Sequence, residues 1–359
     1  MGPTIFRSPT ARNTFVFCVF LGLIFHFRLW NLYPSDDVVE PVHVPATAAS
    51  HGDGGFGGSG SDPVHQDHQQ QQPSHTAVPP SQPPASSEQQ PVPEPFPKKI
   101  WYKLGPKGLS NYAKTWTDSC INQNPEYSAK FLTDETADAF VNEHFVGYPD
   151  VLEVYNSLTV PILKADMVRY MLLYVEGGVW FDLDASCEGI PIDQWVPAAH
   201  AADANLVVGW EFDGGYHFEF EHQFVTWTVM AKKNVAHLLV VIKDIAESLR
   251  RMAEANHVDV SDLTMSMIGD VIEATGPKRF HKSVVNNLEK SVAQPINWED
   301  YHEILEPKMA GDVLILPGYS LAASYNSYEP EDQDKVGPSL VVHHYAGTWK
   351  NEHGGETKE

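Results

Sequence analysis

The stretch that most limits the fold runs from Pro161 to Asp184, PILKADMVRYMLLYVEGGVWFDLD. Pro161 suits a first helical turn, where its missing N–H costs nothing. Ile162, Ala165, Arg169, Leu172 and Leu173 share faces of a 3.6-residue period, and Gly177-Gly178 stops the helix and turns the chain. Val179-Trp180-Phe181 then reads as a short buried strand whose carboxyl end presents Asp182 and Asp184.

The same alternation of strand and helix recurs along the chain. Lys98–Lys103 is an apolar run closed by Gly105-Pro106, a helical segment lies near Leu109 to Asn122, and Tyr127–Leu132 reads as a second strand. Asn205–Glu211 and Asp312–Pro317 are further strands, Phe224–Ala231 is an apolar segment before a helix over Val235–Met252, and Thr275–Phe280 carries turn chemistry. Such alternation predicts an α/β fold with a mostly parallel sheet covered on both faces. Ligands of such sheets bind beyond the carboxyl ends of the strands, which is where Asp182 and Asp184 fall.

Two aspartates at i and i+2 offer hard oxygen ligands to a divalent cation bridging a diphosphate. Alone the pattern is weak, since it recurs in solvated loops. Asp166 and Arg169 add to it, spaced i and i+3 on the preceding helix. A solvated pair at this spacing would be worth under about 1 kcal/mol, whereas the apolar helix around it favours a buried, functional pair. His343-His344 closes a late strand, and either histidine could complete a metal's coordination.

Charge excludes one class of partner. The chain has 24 Lys+Arg against 47 Asp+Glu, a net −23. Without a clustered basic surface, nucleic acid is not expected. From Lys98 onward the balance is 21 basic to 39 acidic residues, a net −18. A domain this acidic needs a cation to hold a diphosphate.

The N-terminal quarter is of another kind. Residues 1–13 carry Arg7 and Arg12 with no acid, and residues 14–33 are apolar except near Arg28. Bases before the span and acids after it predict a cytosolic tail and a transmembrane signal anchor, with Arg28 snorkelling and Trp30 and Tyr33 at the interface. A cleaved signal peptide has the same layout but needs small residues at its end, which Arg28–Pro34 does not supply. From 34 to 97 there is no Lys or Arg before Lys98, and 13 of the 27 prolines fall there. This segment reads as a disordered Pro/Gly/Gln-rich stalk. Cys120 and Cys187 remain in the folded part, as two buried thiols or, in an oxidising lumen, a disulfide.

Six blocks in order carry a resemblance: Pro161–Tyr170, Gly177–Asp184, Ile192–Trp195, Thr275–Pro277, Asp312–Pro317 and His343–Lys350. Residues 98–350 resemble glycosyltransferase family 32, and most closely its fungal initiation-specific alpha-1,6-mannosyltransferases. The resemblance implies a GT-A type, Rossmann-like catalytic domain followed by a polar tail over 351–359. It implies a single-pass type II protein of the Golgi membrane, with the catalytic domain lumenal. Transfer of mannose from GDP-mannose to an N-glycan or other mannose-containing acceptor would retain the alpha configuration. By carry-over Asp184 ligates Mn²⁺, Asp182 contacts the ribose or shares the metal, and Asp166 and Arg169 hold the donor sugar. His343 or His344 is the last metal ligand, Trp349 and Lys350 lie against the diphosphate, and the loop after the first strand, near Trp101 to Lys103, faces the guanine. A complex with other mannosyltransferases is a further expectation. A relative that mannosylates inositol phosphoceramide and a non-catalytic glycan-binding or scaffold module are the competing readings.

Overall fold

The computed structural model describes residues 94–215 and 222–357. The expected tail, anchor and nearly all of the stalk lie outside the described residues. Among the described residues no helix is long and apolar enough to cross a membrane.

The main sheet has seven strands: β1 (Lys99–Lys103), β2 (Ser128–Leu132), β3 (Gly178–Phe181), β5 (Leu206–Gly209), β6 (Thr228–Ala231), β7 (Lys308–Ala310) and β8 (Val313–Leu316), in the order β2-β1-β3-β6-β5-β8-β7. A second, two-stranded sheet pairs β4 (Ala185–Cys187) with β9 (Val341–His343). The expectation of a mostly parallel sheet is corrected. β1 runs parallel to both β2 and β3, and β5 to β8, but β3–β6, β5–β6 and β7–β8 are antiparallel. The reason lies in the connections. Parallel neighbours need a crossover, which helices supply between β1, β2 and β3. Among the described residues no helix separates β5 from β6, and β7 reaches β8 through a tight turn at Gly311 (φ 59°).

Among the described residues six longer helices support this sheet: α1 (Asn111–Gln123), α2 (Asp134–His144), α3 (Pro149–Ser157), α4 (Pro161–Glu176), α5 (Ala236–Asn256) and α6 (Pro277–Ser291). Ser110 caps α1 through the Ala113 N–H, and Thr133 and Thr136 form a reciprocal capping box on α2. α4 is apolar almost all round because it is central. Leu163, Met167, Val168, Tyr170, Met171, Leu172 and Leu173 are fully buried. Pro277 opens α6, so the Thr275–Phe280 stretch read as a turn is a turn only at Thr275-Gly276, after a single-turn helix at 271–274.

The link from α4 to β3 admits only glycine. Gly177 and Gly178 both have positive φ, 60° and 98°. A Cβ on Gly178 would sit 2.6 Å from the Lys99 carbonyl oxygen, and one on Gly177 2.9 Å from that of Ala231. The helix can therefore pass directly into the strand between β1 and β6, which aims the residues after Phe181 outward. Residues beyond Lys350 return to the start of α4. The Gly354 carbonyl accepts from Ile162 N–H at 2.8 Å and so satisfies a donor that the helix leaves open.

Candidate active site

Asp182 and Asp184 follow β3, and β4 begins one residue later. In the β4–β9 ladder Ala185 pairs with His343, which places His343 beside Asp184. Its Nε2 lies 3.1 Å from Asp184 Oδ1. Ligand atoms of Asp182, Asp184 and His343 all fall within 4.8 Å of one another. Successive strand residues point to opposite faces, so the same register turns His344 away. Its ring stacks on Trp116 at 4.3 Å and its Nε2 meets Ser186 Oγ at 2.8 Å. Of the two histidines the expectation left open, only His343 joins the aspartates.

The surroundings hold the cluster in place. Trp227 lies flat against the His343 ring, 4.4 Å away and within 3° of parallel. Ala346 N–H donates to Asp184 Oδ2 at 2.9 Å, and His344 N–H to the Asp184 carbonyl at 2.7 Å. Burial pushes the Asp184 carboxyl up, but His343 and the Ala346 N–H outweigh it and hold the group below the usual carboxylate range. Trp180 Nε1–H donates to Asp182 Oδ1 at 2.7 Å.

Beneath the aspartates lies the pair from α4. Asp166 and Arg169 are only 3 % and 4 % exposed, and Arg169 Nη2 donates to Asp166 Oδ1 at 2.8 Å. The solvated alternative does not hold. Arg169 Nη1 also donates to the Thr226 carbonyl at 2.6 Å and stands 3.4 Å from Asp182 Oδ1. Thr275 Oγ1–H donates to Asp166 Oδ2 at 2.6 Å. Burial pushes the Asp166 carboxyl up, and the Arg169 charge and the Thr275 hydroxyl recover only part of that. Burial also opposes the Arg169 charge, yet Asp182 and Asp166 more than restore it. Arg169 Nε and His343 Nδ1 are buried with no hydrogen-bond partner among the described residues.

The remaining expected residues are placed differently. Trp349 packs against the main core and Lys350 Nζ sits over its ring at 5.6 Å. Trp101 is a core residue of β1, 8 % exposed, and its indole N–H is taken by the Gly177 carbonyl at 2.8 Å. The structure does not bring it to the aspartates.

Several contributors escaped the sequence. Thr275 sat in a quoted block but had no partner assigned, and Trp180 sat within the strand that leads to the carboxylates with its N–H unassigned. Glu211, just past β5, is another. Gln223 Nε2 donates to its Oε2 at 2.6 Å. Burial pushes the Glu211 carboxyl up, against the Gln223 hydrogen bond and the charges of His343 and Lys350. A glutamate ending an apolar strand at the ligand edge of the sheet was the available signal.

Chemically, two carboxylates and one imidazole converge on a point from which a buried guanidinium is one contact away. That donor set fits a divalent cation of the Mn²⁺ or Mg²⁺ kind better than a soft one.

The family described as "Glycosyltransferase sugar-binding region containing DXD motif" matches residues 110–201, which include both aspartates and the Asp166–Arg169 pair. The chain is 29 % identical over 293 residues to an initiation-specific alpha-1,6-mannosyltransferase of Candida albicans, covering 72 % of this chain and 73 % of that one. It is 27 % identical over 273 residues to the putative glycosyltransferase HOC1 of Saccharomyces cerevisiae, covering 71 % and 66 %. A shorter stretch of 69 residues is 41 % identical to inositol phosphoceramide mannosyltransferase 3 of Schizosaccharomyces pombe, covering 19 % and 18 %. The PaToxG glycosyltransferase structure aligns with 55 % of this chain and 73 % of its own at 16 % identity and a TM-score of 0.38.

The chain is a glycosyltransferase with a DXD sugar-binding region. Its resemblance is to family 32, and within that family to the fungal initiation-specific alpha-1,6-mannosyltransferases.

Proposed function

We propose that the chain is a retaining, metal-dependent mannosyltransferase of GT-A type that moves mannose from GDP-mannose to N-glycans in alpha-1,6 linkage. The observation that carries this reading is the convergence of Asp182, Asp184 and His343 over the buried Asp166–Arg169 pair. Asp182, Asp184 and His343 would hold Mn²⁺, which when bound neutralises charge on the departing diphosphate. Asp166 and Arg169 orient the donor sugar through its hydroxyls, and Lys350 adds a local cation at the diphosphate. In the transfer the bond from the anomeric carbon to phosphate oxygen breaks while that carbon bonds the acceptor oxygen on the same face. The acceptor's hydroxyl proton passes to the departing phosphate oxygen, so no carboxylate nucleophile is needed.

The relatives' names support mannose as the donor sugar, and the N-terminal charge layout supports a type II membrane anchor. A disulfide between Cys120 and Cys187 supports a lumenal catalytic domain, since such bonds persist in oxidising compartments. A second reading, mannosylation of inositol phosphoceramide, rests on the 41 % identity over 69 residues.

The deciding experiment incubates purified full-length protein and Mn²⁺ with several nucleotide sugars and two acceptors, a core N-glycan and inositol phosphoceramide. An alpha-1,6-linked mannose on the glycan supports the proposal. Use of a different donor, or mannose appearing only on the lipid, overturns it.

A further inference from the structure

Beyond β5 the chain gathers a second set of metal-binding side chains, from three separate segments. Asp213 follows the strand, His222 precedes β6, and His302 follows a 3-10 turn at Trp298–Tyr301. The Asp213 side chain is completely buried, and His302 Nδ1 lies 2.8 Å from its Oδ1. His222 Nδ1 lies 4.0 Å from the same oxygen and 2.6 Å from the Phe212 carbonyl. The two imidazole centroids are 4.2 Å apart, and one ligand atom from each of the three residues falls within 4.8 Å of the others.

The carboxylate is fixed through one oxygen, and the other meets only imidazole among the described hydrogen-bond partners. Oδ2 accepts the Glu303 N–H at 2.8 Å. The Asp213 and Gly214 N–H groups both donate to Asn326 Oδ1, at 2.7 and 2.9 Å. Oδ1 faces the rings. Among the described residues the ion-pair partners of Asp213 are the two imidazoles and no Lys or Arg. A buried carboxylate without a permanent cation is costly unless something supplies positive charge.

We propose that Asp213, His222 and His302 form a second divalent-cation site, separate from the DXD cluster and suited to a borderline ion such as zinc. Two imidazoles and one carboxylate make the softer donor set, whereas Asp182, Asp184 and His343 make the harder one. Both imidazole side chains keep partial exposure, a third for His222 and a fifth for His302, which leaves a coordination position for water. Binding through Nδ1 moves the proton of each ring to Nε2 and takes His222 from the Phe212 carbonyl. The ion ties the turn after β5 to the residues after the 3-10 turn. The competing account is a plain His302–Asp213 hydrogen bond, with His222 serving only Phe212.

The test uses the full-length chain carrying Asp182→Asn and Asp184→Asn, so that the DXD cluster cannot compete. The protein is dialysed against zinc chloride, bound zinc per chain is counted by atomic spectroscopy, and thermal unfolding is followed with and without zinc. One zinc per chain is expected, with a rise in Tm because the ion binds only the folded state. Adding His222→Ala should remove both the zinc and the Tm rise. This variant leaves the His302–Asp213 bond intact, so its fold is retained and circular dichroism checks that. Adding His302→Gln should act likewise. No retained zinc in the parent, or equal zinc and an equal Tm rise in the folded His222→Ala variant, overturns the proposal. Neither result depends on sugar transfer.

Discussion

Arg169 Nη1 and Asp182 Oδ1 stand 3.4 Å apart, and this contact joins the buried pair on α4 to the DXD aspartates as one charge network. Arg169→Met removes the counter-charge of Asp166, whose carboxyl is buried. Leaving such a charge unpaired costs about 3–5 kcal/mol. Urea unfolding of the variant should read that loss. A change below about 1 kcal/mol would mean the pair behaves as a solvated one.

Thr275 is the second support of Asp166. Thr275→Val keeps the shape and removes the donated O–H, and a buried acceptor left short costs about 1–3 kcal/mol. Thr275→Ser should restore most of the stability and of the transferase activity. If Val and Ser behave alike in unfolding, the 2.6 Å contact to Asp166 contributes nothing.

His343 and His344 should separate cleanly. His343→Ala is expected to weaken Mn²⁺ binding by roughly ten- to a hundredfold or more, a loss of the size seen when support of a metal site is removed. His344→Ala loses the stack on Trp116 and the Ser186 contact, and should lower stability while leaving metal affinity near wild type. Isothermal titration with Mn²⁺ on both variants decides it, and the reverse pattern would contradict the β4–β9 register argument.

Much of this was legible in the chain. The α4 to β3 unit was set by an apolar helical period, a proline at one end and two glycines at the other, and each is a local signal. The Asp166–Arg169 spacing showed that the two could pair, and the apolar helix that the pair would be buried. What could not be read was long-range. β6 is an apolar run whose direction depends on the connection from β5, so the antiparallel half of the sheet was invisible. The choice of His343 over His344 hangs on a strand register across more than 150 residues. Trp101 is a case where sequence alone was ambiguous. A tryptophan in the middle of an apolar strand can face a ligand or the core, and its burial and its bond to Gly177 place it in the core.

Asp312 predicts a pH effect. Burial pushes its carboxyl up, but His237 at 2.8 Å and Asn205 at 3.0 Å outweigh burial and leave it below the usual range. A carboxyl lowered by folding stabilises above its unfolded pKa of about 3.9, and that stability is lost as pH falls through the folded value. Asp312→Asn should therefore flatten the dependence of unfolding free energy on pH below about 4 to 5, most visibly at low salt since Asp312 is partly exposed. An unchanged slope would show that the His237 contact does not favour the charged form.

Cys120 on α1 and Cys187 at the end of β4 are joined by a disulfide across a sequence separation of 67. A loop of that length corresponds to about 4 kcal/mol of unfolded-state entropy. Thermal unfolding with and without reductant should show the difference, and a Cys120→Ser, Cys187→Ser double variant should match the reduced protein. Equal Tm values in both states would contradict it.

His343 meets Asp184 from 159 positions further along the chain. During synthesis the two aspartates emerge long before His343, so under the function proposed above a growing or prematurely terminated polypeptide carries the motif without its third ligand. The cluster cannot form until His343 has been made. A frameshift or stop codon anywhere after Asp184 and before His343 yields a product that keeps the D-x-D signature but lacks the histidine beside it.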